Sequence, residues 1–598
     1  MTTYTLLITA PLFFALVTMV SGVVIRNIFT IAFVIGLSVL SISNILLFQA
    51  PTEMILPHLF HNLFILLDSM VLLFFLWQGV KTKNSLVKIF AMLQIILYTI
   101  VFFLSPTVVS NDIFIDKISS VMYLIINIVG GIIIVYALKY IESEELTRFK
   151  KNGFIAMLFF FLSVMNFIVS TNNIEIFFLL FELTTLCSYI LIGYRGDEVS
   201  VLNAQKALWM NQIGGVAILI ALIFSILQYK TVCFDVLIAN IDAFYLLPIV
   251  FLAIAAFVKG ASIPFDKWLL GAMVAPTPVS AILHSATMVK IAPYLMLKLA
   301  PAMSGFVSLT ITLLGTFVFF AASLLALGKD YFKEILGYST IALLGLMMAL
   351  AAIGTPEAIV ACLTLIVFHA ISKALLFLQA GILEKSFHLK YVNDIDGLIN
   401  QSPLVVFFII VGFASLTLPP FGAFIAKFMA IETIASEIIK NPLYVFALIF
   451  LALGSAFLTL LYFKVVTKLF AKDVEIKTLH PKGISSLSLT ADVKISKFYT
   501  VPSYLLLILL VIGIYISFKL ELLSSLEIIV PLFLVAIVPL LFALILFKKA
   551  HRVKEYNCGE KEDIVLNMYY FHMPSVIKKD IAIIAVAGMC ILILGVLL

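Results

Sequence analysis

Long apolar runs separated by short polar links succeed one another along the chain. Tyr4–Val24, Phe60–Val80 and Ile113–Tyr136 are representative, and as α-helices each is long enough to cross about 30 Å of hydrocarbon. Hydropathy windows give about 18 such segments, which predicts an all-α polytopic membrane protein. No soluble module interrupts the pattern. The longest polar link is Ala471–Thr500, and a second, His551–Lys579, contains EYNCGEKED. The first link marks where a core ends, and four regions are expected along the chain. Transmembrane helices, about four of them, occupy 1–110; a core follows over 111–470, a cytoplasmic link over 471–500 and a C-terminal transmembrane appendix over 501–598.

Composition closes off other classes. Of 598 residues, 63% are hydrophobic and 12% charged, against about 45–50% and about 25% in a soluble domain. The formal charge of +6 is informative by position. With the N-terminus outside, the basic groups of Lys81–Lys88, Lys139–Lys151, Lys329–Lys333, Lys385–Lys390, Lys464–Lys497 and Lys548–Lys561 fall on one side. The other side carries only scattered residues such as Lys230 and Lys440. The positive-inside rule makes the basic side cytoplasmic, and an even number of spans leaves both termini outside. Charges so dispersed do not make a nucleic-acid surface. The N-terminal stretch has no basic leader and reads as a retained first span. Five cysteines include no C-x-x-C pair, and neither a P-loop nor a G-x-G-x-x-G fingerprint occurs. No metal or cofactor is therefore expected in this chain.

Two places in the core break helical propensity while staying apolar. One is Phe257-Val-Lys-Gly-Ala-Ser-Ile-Pro-Phe265, with Gly260 and Pro264. The other is Leu418-Pro-Pro-Phe-Gly-Ala-Phe-Ile-Ala-Lys427, with Pro419, Pro420 and Gly422. Proline removes a helical hydrogen bond, so each predicts a discontinuous helix. Freed backbone at membrane depth is tolerated only against protein or a watery cavity. A broken helix in each half of a core points to paired repeats with a binding or conduction site between them.

Titratable residues lie within the spans: Glu182, Lys259, His284, Lys290, His369, Lys373 and Lys427, with Lys206 nearer a helix start. His369 and Lys373 are four apart and share a helix face. Five lysines and a glutamate left bare would cost about 15–20 kcal/mol, at roughly 3 kcal/mol each. That exceeds the about 5–15 kcal/mol that holds a typical domain folded. They must be paired, hydrated or neutral, and a row of such groups across a membrane is a proton path. Glu182 approaching Lys259 would hold the lysine's proton, and its withdrawal would release it.

The segments FELTTLCSYILIGY, VKGASIPFDKWL, APTPVSAILHSATMVK, FKEILGYSTIALLG, HAISKALLFLQAG and LPPFGAFIAKF follow one another between Asn111 and Phe470. In that order they resemble the antiporter-like subunits of respiratory complex I, of Mrp sodium/proton antiporters and of membrane-bound energy-converting hydrogenases. The resemblance implies two inverted five-helix repeats, each with a discontinuous helix, around a hydrophilic axis. It implies that Glu182 is the carboxylate of the fifth core helix and Lys206, on the sixth, its partner or a relay. Lys259 falls on the broken seventh helix, His284 and Lys290 on the eighth, His369 and a central relay lysine, Lys373, on the eleventh. Lys427 on the broken twelfth resembles a gate towards the far side.

There are departures. Four spans precede Asn111 where the family's usual pattern has two, so two look added. Leu270-Gly271 stands where many relatives have a proline and an acidic residue, and no long amphipathic helix follows the core. YNCGE, Tyr556–Glu560, is similar to a short motif near the end of large membrane subunits of energy-converting hydrogenases. The implied function is a proton- or sodium-translocating subunit of an energy-converting redox complex, most like a membrane-bound hydrogenase, in a prokaryotic cytoplasmic membrane. Other membrane subunits and a peripheral redox arm with nickel–iron and iron–sulfur centres would be its partners. The alternatives are a complex I-like dehydrogenase, an Mrp-type Na+/H+ antiporter and a stand-alone secondary transporter.

Overall fold

The structure is a computed structural model describing residues 2–105, 111–241, 246–303, 305–419, 421–470, 495–519 and 575–597. Four helices come first: α1 (Thr2–Val20), α2 (Val23–Leu46), α3 (His58–Lys81) and α4 (Ser85–Leu104). Next are α5 (Lys117–Glu142), α6 (Arg148–Ile168), α7 (Ile174–Ile192), α8 (Glu198–Tyr229), α9 (Leu247–Lys259) and α10 (Thr277–Ala302). They are followed by α11 (Gly305–Leu327), α12 (Phe332–Ile353), α13 (Pro356–Ser386), α14 (Pro403–Thr417), α15 (Gly422–Lys440) and α16 (Tyr444–Phe470). The series closes with α17 (Lys497–Lys519) and α18 (Ser575–Leu597).

The short polar links begin helices because they carry capping side chains. Asn84, Thr147, Asn173, Asp197 and Thr355 each accept a backbone N–H of the helix that follows, satisfying donors that a helix start leaves free. Sixteen helices among the described residues are long and apolar enough to cross a membrane, with α14 and α15 counted as one span. The sequence expectation of about 18 included 520–574, which lies outside the described residues, as do Pro420, Tyr556–Glu560 and most of the 471–500 link.

Burial divides the bundle into a core and a rim. The apolar windows of α10 and α12 are buried throughout, whereas only 22% of those of α1–α4 and α18 is buried. Close approach holds the core together: a Cβ on Gly315 of α11 would stand 2.5 Å from the carbonyl of Gly345 on α12. Small residues at such crossings let backbones touch, which is how helices associate where hydrophobicity offers no preference. The C-terminal helices pack back on this core. Ser503 of α17 meets Gln379 of α13 at 2.8 Å, and Gly588 of α18 leaves room for Leu314 of α11.

Helix lengths run in parallel along the chain. In α6–α10 and again in α11–α16 the third helix is the longest, 32 residues for α8 and 31 for α13, and a broken helix follows it. The polar links sort to the two ends of the bundle. At one end Glu144 joins Arg195 at 3.2 Å and Lys385 at 2.8 Å, and Lys333 joins Glu384 at 2.7 Å. Arg26 and Lys151 meet Glu142, and Lys464 meets Asp330 at this end too. These are the links whose basic residues the sequence placed on one side. At the other end a two-stranded antiparallel ribbon pairs Thr52–Met54 with Ile113–Ile115, and Asp112 gathers Leu56, His61 and Asn173.

Glu144 ties three connections together. Partial burial pushes its pKa up, but the hydrogen bond from Lys385 and the charge of Arg195 outweigh this and hold the carboxyl below its ordinary value. A carboxylate held low stabilises the fold above its unfolded pKa of about 4.3 and loses that contribution as pH falls through the folded value. Glu144→Gln should lower thermal stability at pH 7 by about 1 kcal/mol or less for each exposed-type pair. The gap to the unaltered chain should close below about pH 4. Thermal unfolding of the detergent-solubilised protein at both pH values measures it.

Candidate ion-translocation site

Glu182 sits in the middle of α7 and is fully buried. Its Oε1 accepts a 2.8 Å hydrogen bond from Gln94 Nε2 of α4, and its Oε2 has no protein partner. The seat exists because α8 offers a glycine there. A Cβ on Gly215 would stand 1.9 Å from Glu182 Oε1 and 2.3 Å from Gln94 Nε2. Lys259 is the last residue of α9, where the chain breaks through Gly260, Ala261 at φ +51°, and Pro264 before the short helix Lys267–Gly271. Trp268 Nε1 returns to donate to the Val258 carbonyl at 2.9 Å, which also accepts the Ala261 N–H at 3.0 Å. Lys259 Nζ does not ion-pair with Glu182. It donates to the Phe181 carbonyl at 3.1 Å and to Thr185 Oγ1 at 3.0 Å, on the turn of α7 that carries Glu182. The ammonium also lies 3.7 Å from the Phe181 ring centroid, a favourable place for a cation.

The second cluster joins the two halves of the core. Lys290 Nζ of α10 and His369 Nδ1 of α13 are 2.6 Å apart and fully buried. One turn along α13, Lys373 Nζ donates to the Leu336 carbonyl at 3.1 Å and to the Ser339 hydroxyl of α12. His284 completes the group, its ring against Phe377 at 4.8 Å and both ring nitrogens without a protein partner. The four residues lie within electrostatic range of one another. Their meeting depends on a third break that the sequence reading did not anticipate. α10 is interrupted at Ala286–Thr287, between His284 and Lys290, and resumes through a 3₁₀ turn, Met288–Lys290. Pro293 supplies the reason, since its ring clashes with the carbonyl four residues back, that of Val289.

Lys427 is buried at 5% exposure in the second turn of α15, beyond the break at Pro419 and Gly422. The two broken helices therefore hold their lysines differently: Lys259 ends its half-helix, where the dipole favours a cation, and Lys427 follows the start of its own, where it does not. Lys206 falls outside both clusters. It is half-buried and reaches Asn203 Oδ1 at 3.5 Å. It does not reach Glu182, because the α8 residue facing that carboxylate is Gly215, nine positions or about 13 Å further along the axis.

Four polar residues of the site lay outside the sequence reading. Gln94 is a polar residue in the apolar stretch AMLQIILYTI, and Asp68 a buried carboxylate in FILLDSMVLLF. The rule that singled out Glu182 would have found Asp68. Thr185 and Ser339 carry no such signal, since a serine or threonine inside a span commonly bonds its own helix. Among the described residues no group of three or more His, Cys, Asp or Glu is arranged to hold a metal ion.

Fold and site together define a polytopic membrane protein with buried amines, imidazoles and a carboxylate linking broken helices across its core. The family described as "NADH:quinone oxidoreductase/Mrp antiporter, TM" matches residues 171–459, and "NADH-Ubiquinone oxidoreductase (complex I), chain 5 N-terminus" matches 104–150. The chain belongs to this superfamily of antiporter-like membrane subunits. It is similar to the "Na(+)/H(+) antiporter subunit A1" of Staphylococcus aureus, strains JH9 and Newman, with 31% identity over 345 residues in each case. The match takes in 54% of this chain and 42% of the relative, so the chain spans less than half the length of the curated relatives it matches.

Gly215 provides a test of the Glu182 seat. Gly215→Ala should displace the carboxylate from Gln94 and cost about 1–3 kcal/mol as an overpacked contact. The expected result is a lower unfolding temperature of the detergent-solubilised protein. Unfolding at the unaltered temperature would show that the added methyl is accommodated and the seat is not tight.

Proposed function

We propose that this chain carries protons, in exchange for or together with sodium, as one subunit of a multisubunit membrane assembly. The axis Glu182, Lys259, Lys290–His369, Lys373 and Lys427 is its path, with His284 beside it and Lys206 near one approach. Two inverted five-helix repeats, α6–α10 and α11–α16, frame the path. An odd number of crossings per repeat would bring the second in from the opposite face. The assembly would lie in a prokaryotic cytoplasmic membrane, with the ion-paired end of the bundle facing the cytoplasm and both termini outside.

The Lys290–His369 contact carries this reading. Two nitrogens 2.6 Å apart share a single proton between them: either the ammonium donates to a bare Nδ1, or Nδ1–H donates to a neutral amine. Such a pair cannot keep both inner positions protonated, so a proton arriving on one side pushes one off the other. Glu182 sets the start of the sequence. Moved from Gln94 towards Lys259, it would hold a proton on the lysine; moved back, it would let the proton pass towards the pair. Moving one charge against roughly 180 mV takes about 4 kcal/mol, equivalent to about three pKa units. A carboxylate gained or lost at ion-pair distance in a dry site supplies a change of that size.

The similarity to an Na(+)/H(+) antiporter subunit supports the antiporter reading over the hydrogenase-type complex that YNCGE suggested. The hydrogenase reading keeps Tyr556–Glu560 as its own support. In it this chain would move the ions while partner subunits held the nickel–iron and iron–sulfur centres. Purification of the tagged chain with its neighbours separates the two: partners without redox centres favour the antiporter, and a nickel-containing partner favours the other.

Glu182→Gln and Lys373→Met test the path itself. Each should abolish coupled ion movement in vesicles, followed with a pH-sensitive dye, while the assembly still co-purifies. Full transport in both variants would refute the roles assigned to these residues.

A further inference from the structure

The α3–α4 hairpin does more than widen the bundle, because it lays a line of buried polar groups against Glu182. On α3, His61 and Asp68 are seven residues apart, and on α7 so are Glu175 and Glu182. Seven residues make two turns, so each pair shares a face and steps about 10 Å inward. On α4, Gln94 and Tyr98 share a face at four-residue spacing. The three faces meet. Gln94 bonds Glu182, Tyr98 stacks on Phe178 of α7 at 5.8 Å, and its hydroxyl lies near Asp68. Asp68 lies within electrostatic range of both Glu175 and Glu182.

Acidic residues in a row are not by themselves a route, but these have open acceptors at depth. Asp68 is 3% exposed, and its Oδ1 has no protein partner. Gln94 Oε1 and Glu182 Oε2, both fully buried, lack one as well. Three buried oxygens on three adjoining helices thus lack a donor, a situation that costs free energy unless something fills it. The seam also reaches the surface. Glu175 is half-buried at the start of α7 beside Ser105, within range of His61 and Asp112 at the ribbon end of the bundle.

We propose that the seam between α3, α4 and α7 is the route by which a monovalent cation, H+ or Na+, passes between the ribbon end and Glu182, with Asp68 as its intermediate holding point. This rests on the reading of Glu182 as the start of the ion path and adds where that start is supplied from. Lys259 is the basic group nearest Glu182, and it bonds the Phe181–Thr185 turn. The seam is therefore lined by acceptors on the outward side and closed by an amine on the inward side. A cation entering it meets attraction until it reaches Glu182.

Right-side-out vesicles holding the full assembly test the route in two arms: external pH varied without sodium, and external NaCl varied at fixed pH. Asp68→Asn should lose most of the transport and shift the half-saturating external cation upwards in the arm that matches the ion carried. Tyr98→Phe, which keeps ring and volume, should shift the same arm less, and it carries the test if Asp68→Asn does not accumulate. Wild-type rate and wild-type dependence on both cations in these variants would overturn the route. Lys373→Met measured alongside separates the two ideas. If it is inactive while Asp68→Asn is normal, the route fails and the path stands. If it is active, the path reading falls, and an Asp68 shift would then stand as a site of its own.

Discussion

An ammonium in the middle of a bilayer must find acceptors on helices whose carbonyls already hold one hydrogen bond each. Two lysines here meet that constraint in the same way. Lys259 bonds the Phe181 carbonyl and the Thr185 hydroxyl of α7; Lys373 bonds the Leu336 carbonyl and the Ser339 hydroxyl of α12. In each case the second lone pair of a helical carbonyl is used, and a hydroxyl three or four residues on completes the seat. α7 and α12 hold the second place in their respective blocks of helices. They serve as platforms on which amines rest, and the position of one hydroxyl on each decides where.

Neutral acceptors have a consequence for transport. An ion pair collapses energetically when one partner loses its charge, whereas a carbonyl and a hydroxyl bond an amine in either protonation state. Lys259 and Lys373 can therefore give up a proton without vacating their seats. Glu182 is held by Gln94, also neutral, and the same freedom applies to it. Fixed ion pairs are kept instead for the ends of the bundle, where Glu144, Arg195, Lys333, Glu384 and Lys385 bind the connections into one surface. Permanent charge is used to hold the fold, and neutral polarity to seat the buried titratable groups.

Much of this was legible in the sequence, for reasons that also explain what was not. Hydropathy dictates the spans, because a helix in lipid has no other way to satisfy its backbone. Gly260, Pro264 and Pro419 announce their breaks since proline and glycine act locally. Charged residues inside spans advertise themselves by their cost, which is why Glu182, Lys259, Lys290, His369 and Lys373 could be named. Lys206 illustrates the limit: its depth was readable, but its direction depends on which α8 residue faces α7, and that residue is Gly215. The break in α10 was missed because Pro293 lies about two turns beyond it, so its effect shows well before its position. The pairing of Lys290 with His369 joins residues 79 positions apart, and no local pattern encodes it.

Three helices outside the two blocks, α3, α4 and α17, lie against the two ends of the axis. α3 and α4 cover Glu182 and supply Gln94 to it. α17 lies near the other break: the ring of Phe368, the residue before His369, is wedged where a Cβ on Gly422 would stand 1.9 Å away and one on Gly513 of α17 2.9 Å away. A ring held by glycines on both sides couples α17 to the start of α15, and through α13 to His369 and Lys373. Movement of α15 at its break would have to displace either that ring or α17. The peripheral helices are thus packed against both ends of the axis, and displacing α17 would shift the Phe368 ring beside His369 without touching a titratable group.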